Sequence, residues 1–310
     1  MPVTIPVTVI GGYLGAGKTT LVNWLLAAPD TPRFTVLVND FGAINVDASL
    51  LKTHDGDTLE LTNGCVCCSI ADSLGDALDD ALARRPQPEH ILIEASGVSD
   101  PDKIAHYARG WPGCHLETII VVADAETVIA QSRDKFVGST VQRQLAASEL
   151  LCLNKLDLVD VATIDTVQSA LRQLAQRATI VPCVHSAISP AAVFASPRTT
   201  ATQTRHLEPQ HHHDEVFHSA TIQTDEPISL TALEHLLSER PLGLWRVKGQ
   251  VCLIQEDHHL YAVQAVGARW SIEALPTPAT PPVTRLAFIG VAGSPDLLTE
   301  AAIKKSLGIA

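Results

Sequence analysis

Basic charge is in short supply. The 310 residues carry 22 Lys+Arg against 34 Asp+Glu, a formal charge of 22 − 34 = −12. Nucleic acid and anionic membrane both need Lys and Arg to neutralise phosphate, so neither is expected as the main partner. Long apolar runs are also missing. Stretches such as Ile119 to Ala123 fall far short of the roughly 18 residues a transmembrane helix needs. Residues 1–6 have neither the basic nor the long apolar part of a secretory signal. A cytoplasmic location is the expectation. There is no even set of cysteines to pair: the count is seven, and three fall within Cys65–Cys68. Reduced thiols fit better than a disulfide framework. Internal repeats are lacking. What remains is an ordinary globular composition, 46% hydrophobic and 18% charged, which excludes a disordered chain. At about 100–200 residues per domain, the length implies two domains.

The first part of the chain alternates apolar strands with helices. Strands are predicted at 7–10, 34–38, 90–93, 118–123, 150–153 and 179–184. Helices are predicted at 19–28, 70–84 and 161–178. Strands that are apolar on both faces and separated by helices imply βαβ units, hence a mostly parallel sheet covered on both sides. The expected domains are 1–195, a linker at 196–215 rich in Pro, Thr and His, and 216–310. The last reads as a smaller α+β unit with strands at 217–224, 247–255, 261–266 and 285–289 and helices at 230–239 and 295–307.

Gly12-Tyr13-Leu14-Gly15-Ala16-Gly17-Lys18-Thr19 fits the phosphate-binding pattern G-x-x-x-x-G-K-[ST]. The chemistry requires these residue types. Glycines let backbone N–H groups curl around phosphates without a Cβ in the way. The N-terminus of the following helix adds its dipole and unpaired amides. Lys18 is placed to put a point charge between the β- and γ-phosphates, and Thr19 to ligate Mg²⁺. The pattern sits between a predicted strand and a predicted helix, as the mechanism demands.

Asn154-Lys155-Leu156-Asp157 closes the strand at 150–153. A carboxylate there can accept from guanine N1–H and the exocyclic amine. Adenine offers no such donor pair, so Asp157 favours guanine. Asn154 can support the loop and approach the purine edge. Ser186-Ala187 could present backbone N–H to the guanine carbonyl. The pattern is short, and a solvated helix-entry turn would also produce it.

Cys65, Cys67 and Cys68 follow Asn63-Gly64. Thiolates are soft ligands suited to Zn²⁺ and related ions. Three sulfurs leave a tetrahedral ion one ligand short, and an incomplete cage suits transfer better than storage. A redox pair or plain burial remain alternatives. Cys114, Cys152, Cys183 and Cys252 stand alone in sequence, and core packing is their expected role. Asp40 and Glu94 follow predicted strands, where a phosphate-loop fold places groups that order Mg²⁺ or water; a cap or a solvated loop acid is the competing reading. The Gly97 amide is a candidate γ-phosphate sensor. His206, His211, His212, His213 and His218 form a tract that is either a solvated linker or a weak metal collector.

Together these residues resemble the CobW-type family of metal-homeostasis GTPases, over nearly the whole chain. Gly11 to Thr20 is similar to the family's first motif, which brings Thr20 into the nucleotide site. Gly64-Cys65-Val66-Cys67-Cys68 is similar to its Cys-x-Cys-Cys loop. Glu94-x-x-Gly97 is similar to its Walker B region and Asn154-Lys155-x-Asp157 to its guanine motif. Trp245 to Gly249 and Arg285 to Gly290 resemble strands of its C-terminal domain. Asp40 stands where many members have Glu. The resemblance implies a P-loop GTPase domain followed by an α+β domain. It also implies GTP, Mg²⁺ and Zn²⁺ or Co²⁺ as ligands and a metal-requiring client protein as partner. Lys18, Asp40 and Glu94 would serve hydrolysis, which should be slow because no arginine finger is evident. Rival readings are a P-loop small-molecule kinase, a non-catalytic metal buffer and a nickel GTPase. Asn154-x-x-Asp157 argues against the first. The appended domain and triple-Cys loop argue against the last.

Overall fold

Strand β1 (Ile5–Gly11) lies at the centre of a seven-stranded sheet in this computed structural model. The residues described are 4–29, 31–39, 58–60, 70–194, 217–239, 244–254, 259–267, 269–275, 283–291 and 299–309. The other strands of this sheet are β2 (Phe34–Asn39), β3 (Thr58–Glu60), β4 (His90–Ala95), β5 (Cys114–Asp124), β6 (Leu150–Asn154) and β7 (Thr179–Pro182). The order is β3-β2-β4-β1-β5-β6-β7, and every pairing is parallel. β4 and β6 are buried throughout. Parallel strands covered on both faces must be apolar on both, and that is why these read as continuous hydrophobic runs.

Helices α1 (Lys18–Ala27), α2 (Ile70–Ala83), α3 (Pro101–Gly110), α4 (Val128–Arg133), α5 (Gly138–Ala147) and α6 (Val161–Leu174) belong to the same unit. Leu74, Leu78 and Ala81 of α2, Ile104 and Ala108 of α3, and Val141 and Leu145 of α5 join Val7, Val9, Ile91, Ile93 and Val121 in one core. The sequence reading did not foresee α3, α4 or α5. A signal for α3 was present: Asp100 accepts from the Asp102 N–H as N-cap, and Pro101 occupies the first turn. Helix α6 stops at Leu174, earlier than predicted, where the chain turns through an Ala178 N–H bond to Ala175 O.

Contacts divide the chain into two compact units, Met1–Pro190 and Ala191–Ala310. The second holds an antiparallel sheet, β8 (Phe217–Thr224), β9 (Leu244–Cys252), β10 (Leu260–Val266), β11 (Arg269–Ala274) and β12 (Thr284–Val291), in the order β11-β10-β9-β12-β8. Before it comes the short α7 (Pro190–Val193), and α8 (Leu230–Glu239) and α9 (Glu300–Leu307) complete the unit. Leu233 and Leu237 of α8 and Ile303 and Leu307 of α9 pack with Val247, Val251, Val263, Leu286 and Phe288. Alternation along β9 sends Arg246 and Lys248 to the opposite face. β11 was missed because it is a half-exposed edge strand without an apolar run. Among the described residues, no helix is long and apolar enough to cross a membrane.

Candidate functional site

The parallel sheet delivers four segments to the C-terminal ends of its strands, where ligands bind in open α/β sheets. β1 leads into residues 12–19, β4 into 95–100, β5 into 125–127, and β6 into 155–158. Ile10 pairs with Glu94, and Asp124 pairs with Asn154. Residues distant in sequence are therefore neighbours at one edge.

The phosphate loop is a turn closed by the Ala16 N–H bond to Tyr13 O, at 3.2 Å. Gly17 caps α1 in the left-handed region, φ 112°. A Cβ there would lie 2.5 Å from both Asn154 Nδ2 and Ser186 Oγ, so only glycine fits. The first turn of α1 offers amides that helix geometry leaves without an intrahelical acceptor. Lys18 is buried, and its Nζ donates to Tyr13 O at 3.3 Å. Gly12 and Ala16 are buried, Gly15 and Thr20 exposed.

Thr19 Oγ1 donates to Glu94 Oε1 at 2.6 Å, and Glu94 is 2% exposed. A hydroxyl and a carboxylate side by side are hard oxygen donors. They fit Mg²⁺, which would neutralise phosphate charge there. Gly97, two residues beyond β4, is buried against Leu14 of the phosphate loop; a Cβ at Gly97 would meet Leu14 N at 2.9 Å.

Asn154 is the hub on the other side. Its Nδ2 donates to Ala16 O at 2.9 Å and to Ser186 Oγ at 2.8 Å. Its Oδ1 accepts from the Ser186 N–H at 2.7 Å and from the Cys183 thiol at 3.8 Å. Ser186 Oγ donates in turn to Gly17 O at 2.9 Å. This network fastens the phosphate loop to the loops after β6 and β7, and it engages both Asn154 Nδ2 hydrogens. Loop support, one of the two roles expected of Asn154, is what these contacts show. Nor do Ser186 and Ala187 present free amides to a base carbonyl: the Ala187 N–H bonds Val184 O at 3.1 Å. Lys155 adopts φ 62° and pairs with Asp124 Oδ2 at 2.7 Å. Asp124, which sequence reasoning left without a role, is 7% exposed and also accepts the Glu126 N–H. Its partner across the β5–β6 register is Asn154, a pairing that leaves no local mark in the sequence. Asp157 sits exposed in the short turn Leu156–Leu158.

The four separate cysteines are buried free thiols. Burial, with a smaller contribution from Asp79, pushes the Cys114 thiol up to about 11. A hydrogen bond with Cys183, then burial, pushes Cys152 well up. Thiols so raised are poor nucleophiles and poor ligands. Asp40, Cys65, Cys67, Cys68, His206, His211, His212 and His213 lie outside the described residues. His218 falls in β8. Among the described residues, no group of three or more His, Cys, Asp or Glu is arranged to hold a metal.

Comparison with known proteins gives a consistent result. Residues 6–182 match the CobW/HypB/UreG nucleotide-binding domain, and residues 217–308 match the cobalamin synthesis protein cobW C-terminal domain. Zinc chaperone CobW of Sinorhizobium sp is 30% identical over 310 residues, covering 86% of this chain and 86% of that protein. Zinc chaperone YjiA of Escherichia coli (strain K12) is 27% identical over 307 residues, covering 93% and 94%. The crystal structure of Zn(II)-bound YjiA GTPase from E. coli covers 97% of this chain and 98% of that one at 22% identity. The TM-score is 0.47.

Proposed function

The chain belongs to the CobW/HypB/UreG family and carries the CobW C-terminal domain, and from that premise we propose a GTP-dependent zinc metallochaperone. The observation that carries the nucleotide half is the Thr19–Glu94 contact beside a phosphate loop locked by Asn154 and Ser186. The metal half is supported by the relatives named zinc chaperones and by the Cys-x-Cys-Cys sequence at 65–68.

In this reading the phosphate-loop amides and Lys18 hold the triphosphate. Thr19 and Glu94 hold Mg²⁺ and orient the attacking water, and the Gly97 amide senses the γ-phosphate. Asp157 accepts from the guanine edge, while Lys155, steadied by Asp124, flanks it. Asp40 supports the same centre. Cys65, Cys67 and Cys68 carry Zn²⁺, with Co²⁺ as the alternative cargo, toward a client metalloprotein. The domains implied are 1–195, the linker 196–215 and 216–310.

The cysteine loop lies between Asp40 and Glu94 in sequence, so nucleotide state can alter its geometry. A 100-fold difference in zinc affinity between states corresponds to roughly 2.7 kcal/mol of coupling. Zinc competition titrations of the full chain, nucleotide-free and with GDP or a non-hydrolysable GTP analogue, test this. Equal affinity in all three states rejects a nucleotide-driven chaperone and leaves a metal buffer. Parallel assays with GTP and ATP, following released phosphate, test the base and the hydrolysis.

A further inference from the structure

Helix α5 reaches the loop after β4 through a residue that no motif marks. Gln144 is 2% exposed. Its Nε2 donates to Gly97 O at 3.1 Å and to Ser99 O at 2.8 Å. The Ser99 N–H bonds back to Ser96 O at 2.9 Å, so the segment 96–99 is a turn whose outward carbonyls are gathered by one side-chain amide. The residue before it, Arg143, lies 3.8 Å from Asp100 at the start of α3. On its other side, Gln144 lines a small pocket with Tyr13 and Ala16 of the phosphate loop.

This arrangement constrains Gly97 from two sides. Leu14 leaves no room for a Cβ, and Gln144 fixes the direction of the carbonyl. A trans peptide is rigid, so a fixed Gly97 carbonyl holds the Gly97–Val98 peptide plane and limits the rotation about Gly97 that would swing its own N–H out of place. Two bonds from one buried amide are strong where water is excluded, and losing the donor would strand two carbonyls.

We propose that Gln144 is a positioning residue for GTP hydrolysis, holding the segment 97–99 against the phosphate loop so that it meets the γ-phosphate without rearranging. It acts through Gly97, whose carbonyl it holds, and the proposal rests on the reading of Gly97 as the γ-phosphate sensor. Its effect falls on the step in which that contact matters. GDP lacks the γ-phosphate and should bind unaffected.

The experiment compares Gln144→Met and Gln144→Glu, both similar in size and neither offering the amide donor, with wild type. Expected is a fall in kcat of roughly 10- to 100-fold, as for small misplacements remote from the chemistry. KM for GTP and Kd for GDP should stay within about twofold, the signature of an interaction that matters at the transition state. An unchanged kcat overturns the proposal. So does equal weakening of GTP and GDP, or a variant too unstable to hold GDP, because either outcome makes Gln144 ordinary core. Gly97→Ala is measured alongside. If it lowers kcat while both Gln144 variants do not, the sensor reading survives and this inference fails. If it leaves kcat unchanged, the sensor reading itself fails.

Discussion

Thr19 and Glu94 are 75 positions apart in sequence and 2.6 Å apart in space. One lies in the first turn of α1 and the other near the end of β4, and the parallel pairing of β1 with β4 brings them together. A buried carboxylate next to a threonine hydroxyl at the mouth of a phosphate loop is where a divalent cation would neutralise phosphate charge. Glu94→Gln preserves shape and removes the charge. It should lower kcat for GTP by roughly 10²- to 10³-fold and raise the Mg²⁺ concentration needed for half-maximal rate. Steady-state phosphate release across a Mg²⁺ titration checks this, and an unaltered rate would remove Glu94 from the catalytic group.

Asp157 is exposed and free to meet a base. Asp157→Ala should weaken GDP about 10- to 100-fold, the value of a charge-assisted hydrogen bond, with no change for ADP. Displacement of a fluorescent guanine nucleotide by GDP and by ADP measures both. Equal losses for the two would mean that another residue chooses the base.

Cys114, Cys152, Cys183 and Cys252 are buried, and two of them have thiols held well above the usual range. Brief alkylation of the folded protein at pH 7.5 should therefore modify only Cys65, Cys67 and Cys68. One equivalent of Zn²⁺ should protect those three. Mass spectrometry of the digested product reads the pattern; labelling that zinc does not alter would separate the cysteine loop from metal.

Gly249 has φ 153°, and a Cβ there would stand 1.9 Å from Arg285 O on β12. Gly249→Ala should cost about 3 kcal/mol or more, because the sheet must open or the backbone must strain. Urea unfolding compared with wild type provides the number. A near-neutral result would show that β9 and β12 can separate at little cost.

Burial, followed by repulsion from Arg246, lowers Lys248 from 10.5 to about 8 in the folded protein. Below pH 8 both folded and unfolded chains carry the charge, and folding bears the full penalty. Between pH 8 and 10.5 the unfolded chain binds more protons, so this contribution makes stability rise with pH. Lys248→Met has no such group. Its Tm advantage over wild type should shrink between pH 7.5 and 10, whereas a constant or growing gap contradicts the burial of a charged lysine.

Much of the site was legible because its chemistry is local. Gly12 to Thr19 must be contiguous to wrap phosphate, and the α-helix that follows must start there. Asn154, Lys155 and Asp157 are likewise contiguous. The first unit's strands were readable because both faces are buried. Gln144, Asp124 and Ser186 were not legible as a group. Gln144 and Asp124 are unremarkable in their own segments, Ser186 was read only as a backbone donor to the base, and the role of each is set by what the fold places opposite it. Asn154 lies between the two cases: loop support was one of the roles expected of it, while the particular partners of its amide, Ala16 and Ser186, were set by packing.

By itself, then, the sequence determined the phosphate loop, the alternation that requires a parallel sheet, the smaller α+β second unit and the family. Each depends on residues near one another along the chain or on the period of a single element. Only the tertiary structure decided that Glu94 meets Thr19, that Lys155 is held by Asp124, and that Gln144 grips the Gly97 segment. Those contacts depend on strand order β4-β1-β5-β6 and its register. Register arises from the packing of many side chains at once and leaves no local mark on the residues it brings together.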